Sequence, residues 1–361
     1  MLRVGIVGYG LAGSTFHAPF VATTPGLRVA AIVTGDAERR ERALTEHPGV
    51  RVFETPEHLL ESASDVDLVV VASPNHTHVP LALAALEAGL HVVVDKPFAT
   101  TAADGWKLVA AADAAGRVVV PFHNRRWDGD FLTLQRLVAE GTLGDVRRLE
   151  TRFERWRAAP KPRWVAPDAA ERGEGILLDL GTHLVDQALV LFGAVHEVYA
   201  ELDRRHPDVT VEDDAFLALT HASGVRTHVH VSAVAAHPGP RFRALGDAGA
   251  YVKHGLDVQE AALRAGERPG GAEWGREPRE RWGTLVTGDV QQPQRTEDGA
   301  YGRFYARLVE TLRDGAPPPV LPDDAVAGLE ILEAARQSAA EHRVVRLGAP
   351  TIAAGAEEIV T

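Results

Sequence analysis

The chain has 361 residues, 38 of them Lys or Arg and 50 Asp or Glu, for a formal net charge of −12. That length carries two domains with sizeable cores, and the acidic balance argues against nucleic acid, which demands a basic footprint. No cysteine is present, so a disulfide framework, a thiol nucleophile and a Cys-based zinc site are excluded.

The first element is a short apolar strand, Val4–Val7, running into Gly8-Tyr9-Gly10-Leu11-Ala12-Gly13 and then a helix over Ser14–Thr23. This is the strand, G-x-G-x-x-G, helix order of a dinucleotide site. Gly8 makes the tight turn, Gly10 lets backbone approach a pyrophosphate, and Gly13 lets the helix pack close. The helix N-terminus offers free N–H groups to phosphates. Further buried strands are expected at Val29–Val33, near Val52, and at Leu68–Ala72, His91–Val94 and Val118–Val120. Helical patterns lie between them at Ala37–Glu46, Pro56–Ser62, Val79–Gly89 and Ala102–Gly116. Such alternation predicts a Rossmann-type, doubly wound parallel sheet over residues 1–121. With the first strand expected this close to the first residue, no secretory leader is expected. The longest apolar runs are strand-length and cannot span a bilayer. The expected setting is the cytoplasm, without membrane contact.

After Pro121 the pattern changes. Strands are expected at 146–156, 196–202, 214–220, 225–234 and 241–247, with turns at Ser223-Gly224 and Pro238-Gly239-Pro240. They predict an α+β domain over 122–361 with an open, mostly antiparallel sheet, serving substrate binding and oligomerisation. Residues 265–283 read as a surface excursion. The helix 324–342, capped by Asp323 or Asp324, is expected to pack back on the first domain. The tail Ala353–Thr361 is expected to be disordered.

Chemistry concentrates at a few places. Asp95-Lys96-Pro97 ends the fifth strand, where open α/β sheets bind ligands. Lys96 there can polarise a substrate oxygen; a surface Lys before a turn is the plainer reading. Ser73-Pro74-Asn75-His76-Thr77-His78 ends the fourth strand and can line the cofactor site through Ser73, Pro74, Asn75 and His78, or cap the next helix. Asp179 and His183 are spaced i,i+4 on one helix face, so Asp179 can orient the imidazole of a general base, or the two form a surface ion pair. The same Asp-x3-His supplies two metal ligands with no convincing third nearby, so no metal is expected. His123, Asn124 and Arg126 leave the last parallel strand at the crevice and face substrate or cap a helix. Arg163-Trp164, in a Pro-bounded loop, reads as an exposed pair that closes over the site or lies at a domain interface.

Together these stretches resemble the Gfo/Idh/MocA oxidoreductases over nearly the whole chain, most closely the scyllo-inositol dehydrogenase-like, NADP-dependent branch. The resemblance rests on Gly8–Gly13 with Ser14–Pro19, Asp95-Lys96-Pro97, Asn124–Leu132, Asp179–Gln187 and Gly255–Glu260. It implies that Lys96, Asp179 and His183 are the catalytic set and that the second domain often forms the interface of an oligomer, here a homodimer or homotetramer. Asp95 stands where the family usually has Glu, and His254 where close relatives often carry Tyr before Gly255. Past the second strand the chain reads Val33-Thr34-Gly35-Asp36. Asp36 can accept from a ribose 2′-hydroxyl, which favours NAD, or cap the next helix while Arg39 and Arg40 meet a 2′-phosphate. The overall resemblance favours NADP.

The expected activity is an NAD(P)-dependent dehydrogenase acting on the CH–OH group of a polyol, cyclitol or sugar. His183 takes the hydroxyl proton, Lys96 stabilises charge on the reacting oxygen, and Asp179 orients the imidazole or a neighbouring hydroxyl. Two other activities fit the same scaffold: a non-catalytic NAD(P)-binding regulator, and glycoside cleavage through a transient keto-sugar.

Overall fold

Val, Ile and Leu run continuously through the strands of the first third, as strands covered on both faces require. In the computed structural model, which describes residues 1–348, they form one parallel sheet. Its elements are β1 (Leu2–Val7), a wide π-type turn (Ala12–His17), α1 (Ala18–Thr23), β2 (Leu27–Val33), α2 (Ala37–Glu46), β3 (Arg51–Phe53) and α3 (Pro56–Glu61). They continue with β4 (Leu68–Val71), α4 (His78–Glu87), β5 (His91–Val94), α5 (Ala102–Ala115) and β6 (Val119–Pro121). The strand order β3-β2-β1-β4-β5-β6 reverses direction beside β1. That switch point opens a crevice at the carboxyl edge.

The second sheet is built on α6 (Gly129–Ala139), β7 (Val146–Glu154), the single turn α7 (Pro162–Val165), a second π-type turn (Leu177–Gly181) and α8 (Thr182–Phe192). Strands β8 (Val195–Asp203), β9 (Asp214–His221), β10 (Arg226–Ser232), β11 (Phe242–Gly246) and β12 (Ala250–Lys253) follow. After them come α9 (Gln259–Arg264), β13 (Gly283–Thr287), β14 (Val290–Gln294), α10 (Gly302–Asp314), α11 (Pro322–Glu341) and β15 (Val345–Arg346). The nine strands run in the order β14-β13-β12-β11-β7-β10-β9-β8-β15, with only β7 and β10 parallel. Buried residues alternate along β7 and β9, the signature of a sheet with one covered face. Phe131, Leu134 and Leu137 of α6 cover that face against Leu149, Phe242 and Tyr251.

The structure adds to or corrects the expectations at three places. Strands β12 to β15 and helix α6 extend the second sheet and its cover beyond the elements read from sequence, whereas α10 packs on the first sheet, its Phe304, Tyr305 and Leu308 sharing a core with Val4, Ile6 and Val120. The excursion after residue 265 is pinned by buried Glu277, which accepts from buried Lys253 at 2.9 Å and from Thr296 Oγ1 at 2.6 Å, and it ends in β13. Helix α11 starts after Leu321, which makes no side-chain cap. Asp323 and Asp324 lie in its first turn, where negative charge suits the helix dipole. The tail Ala353–Thr361 lies outside the described residues. Helix α11 also packs along α5: the Ala102 amide donates to Glu333 Oε1 at 2.8 Å, and a Cβ on Gly105 would lie 2.8 Å from Val326. Among the described residues, no helix is long and apolar enough to cross a membrane.

Candidate active site

The glycine turn sits at the head of the crevice. Gly8 has φ +96°, and a Cβ there would lie 2.6 Å from the Ala72 carbonyl oxygen, so only glycine fits. A Cβ on Gly13 would lie 1.9 Å from the Gly8 carbonyl oxygen. Gly10 differs: its missing Cβ faces open space, with Arg39 Nη1 the nearest atom at 3.7 Å. The two packed glycines hold the turn and the open one leaves room for a ligand, as a pyrophosphate cradle needs. The following turn begins at Ala12 and is π-type; Ser14 donates from both N and Oγ to the Gly10 carbonyl, at 3.0 and 2.8 Å.

From this turn a cavity of about 550 Å³ runs between the sheets, with Leu11, Ala12, Ser73, Pro74, Asn75, Asp95, Lys96, Asn124, Arg163, Trp164, Asp179 and His183 among its walls. Lys96 Nζ donates to the Asp179 carbonyl at 2.7 Å and to Asp179 Oδ1 at 2.9 Å. An ammonium carries three N–H donors, so one remains for a substrate oxygen. Asp179 Oδ2 accepts from Lys161, and Arg163 reaches the same oxygen at 3.4 Å. Burial alone would raise the Asp179 carboxyl, but Lys96, Lys161 and Arg163 hold it well below its usual range.

Here the structure corrects the expected Asp179–His183 pair. The π-type turn Leu177–Gly181 breaks the α-helical register between them, and three cations take the Asp179 carboxylate. His183 is buried, its ring edge-on to Phe153 with centroids 6.3 Å apart, and its Nδ1 has no partner among the described residues. Burial, then Lys96, Arg125 and His123, push its imidazole well below the ordinary value. The ring is therefore neutral at neutral pH without help from Asp179, and it borders the cavity as a free base.

Other expected residues have structural partners instead. Trp164 is not exposed but 1% accessible, with Lys161 Nζ 4.8 Å from its ring centroid; Arg163 beside it bonds Glu174 at 2.6 Å. Arg126 does not reach the cavity. Its guanidinium holds Asp186 at 2.6 Å and Asp324 at 3.0 Å, tying α8 to α11. His123 is buried behind it, 3.9 Å from Asp186. His78 lies one layer back, its ring nitrogens 2.8 Å from the Pro97 carbonyl and 2.9 Å from the Ser73 carbonyl. It braces the Lys96 turn rather than lining the cavity. His254 is exposed and away from the cavity. Asn75 lines it and also donates to the Gly173 carbonyl at 2.8 Å, and Ser73 Oγ lies 2.6 Å from Thr77 Oγ1. Asp95 accepts from the Lys96 amide at 2.8 Å and sits 3.7 Å from His17. Asp36 caps α2, accepting from the Arg39 amide at 2.9 Å, and its own amide donates to Thr34 Oγ1 at 3.3 Å. Thr34, Asp36 and Arg39 thus lie at the open end beyond Gly10.

The far wall was not read from sequence. Arg125, Arg155, Arg157, Lys161, Glu260 and Arg264 line it. Arg125 bonds Glu260, as does Arg264 at 2.8 Å. Burial would raise the Glu260 carboxyl, but Arg125 and its neighbours bring it down to about 2. One signal was available: Arg155 and Arg157 alternate at the end of an expected strand, two residues apart on one face.

A glycine-turn dinucleotide cradle, with a lysine and an unprotonated histidine at the far end of one crevice, defines an NAD(P)-binding oxidoreductase. Comparison with known proteins agrees: residues 2–123 match the oxidoreductase family with an NAD-binding Rossmann fold, and residues 131–252 match the GFO/IDH/MocA C-terminal domain. The chain belongs to the Gfo/Idh/MocA family. It is 41% identical to the oxidoreductase YdgJ of Escherichia coli over 95% of this chain and 97% of that one. It is 33% identical to the scyllo-inositol 2-dehydrogenase (NADP(+)) IolW of Bacillus subtilis over 96% of each. The solved structure of the Bacillus subtilis oxidoreductase yvaA superposes with a TM-score of 0.90 at 32% identity, covering 96% of this chain and 99% of that one.

Proposed function

We propose that the protein interconverts a secondary alcohol and a ketone on a polyol, cyclitol or sugar, with NADP(H) as its preferred dinucleotide. The observation that carries this is the pairing of Lys96, with one ammonium proton uncommitted, and neutral His183 on the same cavity. The likeness to IolW, named as an NADP-linked inositol dehydrogenase, supports both substrate class and cofactor. So does Asp36, whose carboxylate is engaged as a helix cap while Arg39 stands beside Gly10.

The dinucleotide, when bound, supplies or takes the hydride. In the oxidative direction His183 accepts the hydroxyl proton, and its depressed basicity keeps it ready well below neutral pH. The spare N–H of Lys96 holds the reacting oxygen as negative charge develops there. Asp179 fixes the Lys96 ammonium and does not touch the imidazole. The face of the second sheet opposite α6, where Glu150, Arg152 and Arg243 pair and Phe216 meets His230 at 4.9 Å between centroids, supports self-association as a homodimer or homotetramer. The test is reduction of NADP+ and NAD+ with a panel of inositols, polyols and aldoses. No turnover with any member, by protein that binds NADPH, removes the dehydrogenase reading and leaves a dinucleotide-binding regulator.

A further inference from the structure

The cavity carries a set of charges that the proton-transfer residues do not use. The β7 ladder continues past Glu154: the amides of Arg155 and Arg157 each donate at 2.9 Å, to the Ser232 and Ala233 carbonyls, and the Ala235 amide donates to the Arg155 carbonyl at 3.1 Å. Alternation along a strand puts Phe153, Arg155 and Arg157 on one face, while Trp156 points away, 62% exposed. Phe153 on that face is edge-on to His183. The two guanidiniums therefore extend, on a rigid backbone, outward from the proton-transfer end.

Among the described residues, neither guanidinium has an ion-pair or hydrogen-bond partner. Eight Lys and Arg side chains line the cavity against four carboxylates, in a chain whose net charge is −12. The four carboxylates are already engaged. Asp179 and Glu174 hold Lys96, Lys161 and Arg163, Glu260 holds Arg125 and Arg264, and Asp95 faces Lys96 N and His17. Burial, then repulsion from Arg125 and Arg157, lowers the Arg155 guanidinium, opposed mainly by Glu260. Partly buried arginines without a directly bonded counter-charge are costly, and a paired anionic oxygen relieves that cost. The cradle for dinucleotide phosphates lies elsewhere, at Gly10 on the first sheet.

We propose that the substrate carries an anionic group, a carboxylate or a phosphate ester, which Arg155 and Arg157 hold while the carbinol carbon faces Lys96 and His183. This rests on the dehydrogenase reading above but is tested without turnover. Calorimetric binding to the NADPH complex compares gluconate and glucose 6-phosphate with neutral glucose and scyllo-inositol. At least one acid is expected to bind about tenfold or more tighter than the neutral probes, and Arg155→Gln with Arg157→Gln brings that ratio close to one. The gluconate and phosphate arms separate the two anion chemistries. No preference for either acid, or a preference that survives the double variant, overturns the proposal. So does a double variant that weakens NADPH binding and leaves the ratio unchanged, because the arginines then serve the dinucleotide. Acid binding without turnover on any probe counts against the dehydrogenase reading alone; turnover of a neutral polyol with no acid preference counts against the anion site alone.

Discussion

The two walls of the cavity are made by different means. The wall on the parallel sheet works with backbone: Gly8, Gly10 and Gly13, within six residues of one another, shape it by lacking side chains. The wall on the antiparallel sheet works with long charged side chains gathered from Arg125, the 155–163 segment, Asp179 and Glu260. A shape set by missing atoms tolerates no added atom, whereas one set by ion pairs can be retuned charge by charge. Substitutions on the first wall should act as switches on folding or dinucleotide binding, and those on the second as adjustments of rate, pH dependence and specificity. His183, at the junction, is the exception.

The largest expected effect tests that exception. His183→Ala should lower kcat by on the order of a hundredfold to ten thousandfold, the usual cost of losing general acid–base catalysis, with little change in the NADPH dissociation constant. Near wild-type turnover on the best substrate would make His183 a packing residue beneath Phe153. Next comes a contrast within the glycine wall. Gly13→Val drives side-chain atoms into the Gly8 carbonyl and should lower the melting temperature sharply. A Cβ on Gly10 meets nothing nearer than Arg39 in the protein alone, so the melting temperature of Gly10→Val should stay near wild type while NADPH affinity falls by about tenfold or more. If both variants melt alike and bind alike, the division of labour among these glycines is wrong.

The parallel sheet was legible in the sequence because each signal was local. Continuous apolar runs marked β4 and β5, and the glycine spacing marked the cradle. The antiparallel half was legible only where strands alternate strongly, as in β9. Strand β14 is polar, exposed and carries Pro293, as an edge strand can, so nothing apolar announces it. Helix α10 does leave a pattern in the sequence, with Phe304, Tyr305, Leu308 and Thr311 buried on one face. The Asp179–His183 pair failed for a definite reason: the i,i+4 rule assumes an α-helix, and the π-type turn with Lys96 and Lys161 arriving from distant segments removed both the register and the free carboxylate. No spacing rule reports that Arg126 is spent on Asp186 and Asp324.

On the charged wall, pH is the finer probe. Burial lowers the Lys161 ammonium to about 8, with Asp179 opposing and Arg163 adding to the shift. His183 stays neutral well below pH 6.5. A kcat/KM profile should therefore show no loss near pH 6.5 on the acid side. Above pH 8, Lys161 gives up its proton and releases its hold on Asp179, so the rate should change there. Lys161→Arg, which keeps its charge, should flatten that upper limb. A limb at pH 8 that persists in the arginine variant belongs to another group.

The smallest expected effect lies at the open end of the first wall and concerns choice of dinucleotide. Asp36 and Arg39 are about half exposed, their side chains 3.9 Å apart, and charges so placed are worth roughly 0–1 kcal/mol. Asp36 also caps α2, so an alanine there would mix a capping loss with a charge effect. Asparagine caps about as well as aspartate, and Asp36→Asn removes the charge alone. It should raise the NADPH to NADH affinity ratio a few-fold with almost no change in melting temperature, because repulsion of a 2′-phosphate is relieved. Arg39→Ala should lower the ratio by a similar factor. Arg40 reaches back to the Val52 carbonyl at 3.4 Å, so Arg40→Ala should leave the ratio where it was. Unchanged ratios in both the Asp36 and Arg39 variants would confine these residues to helix capping and move the choice of dinucleotide to another part of the cradle.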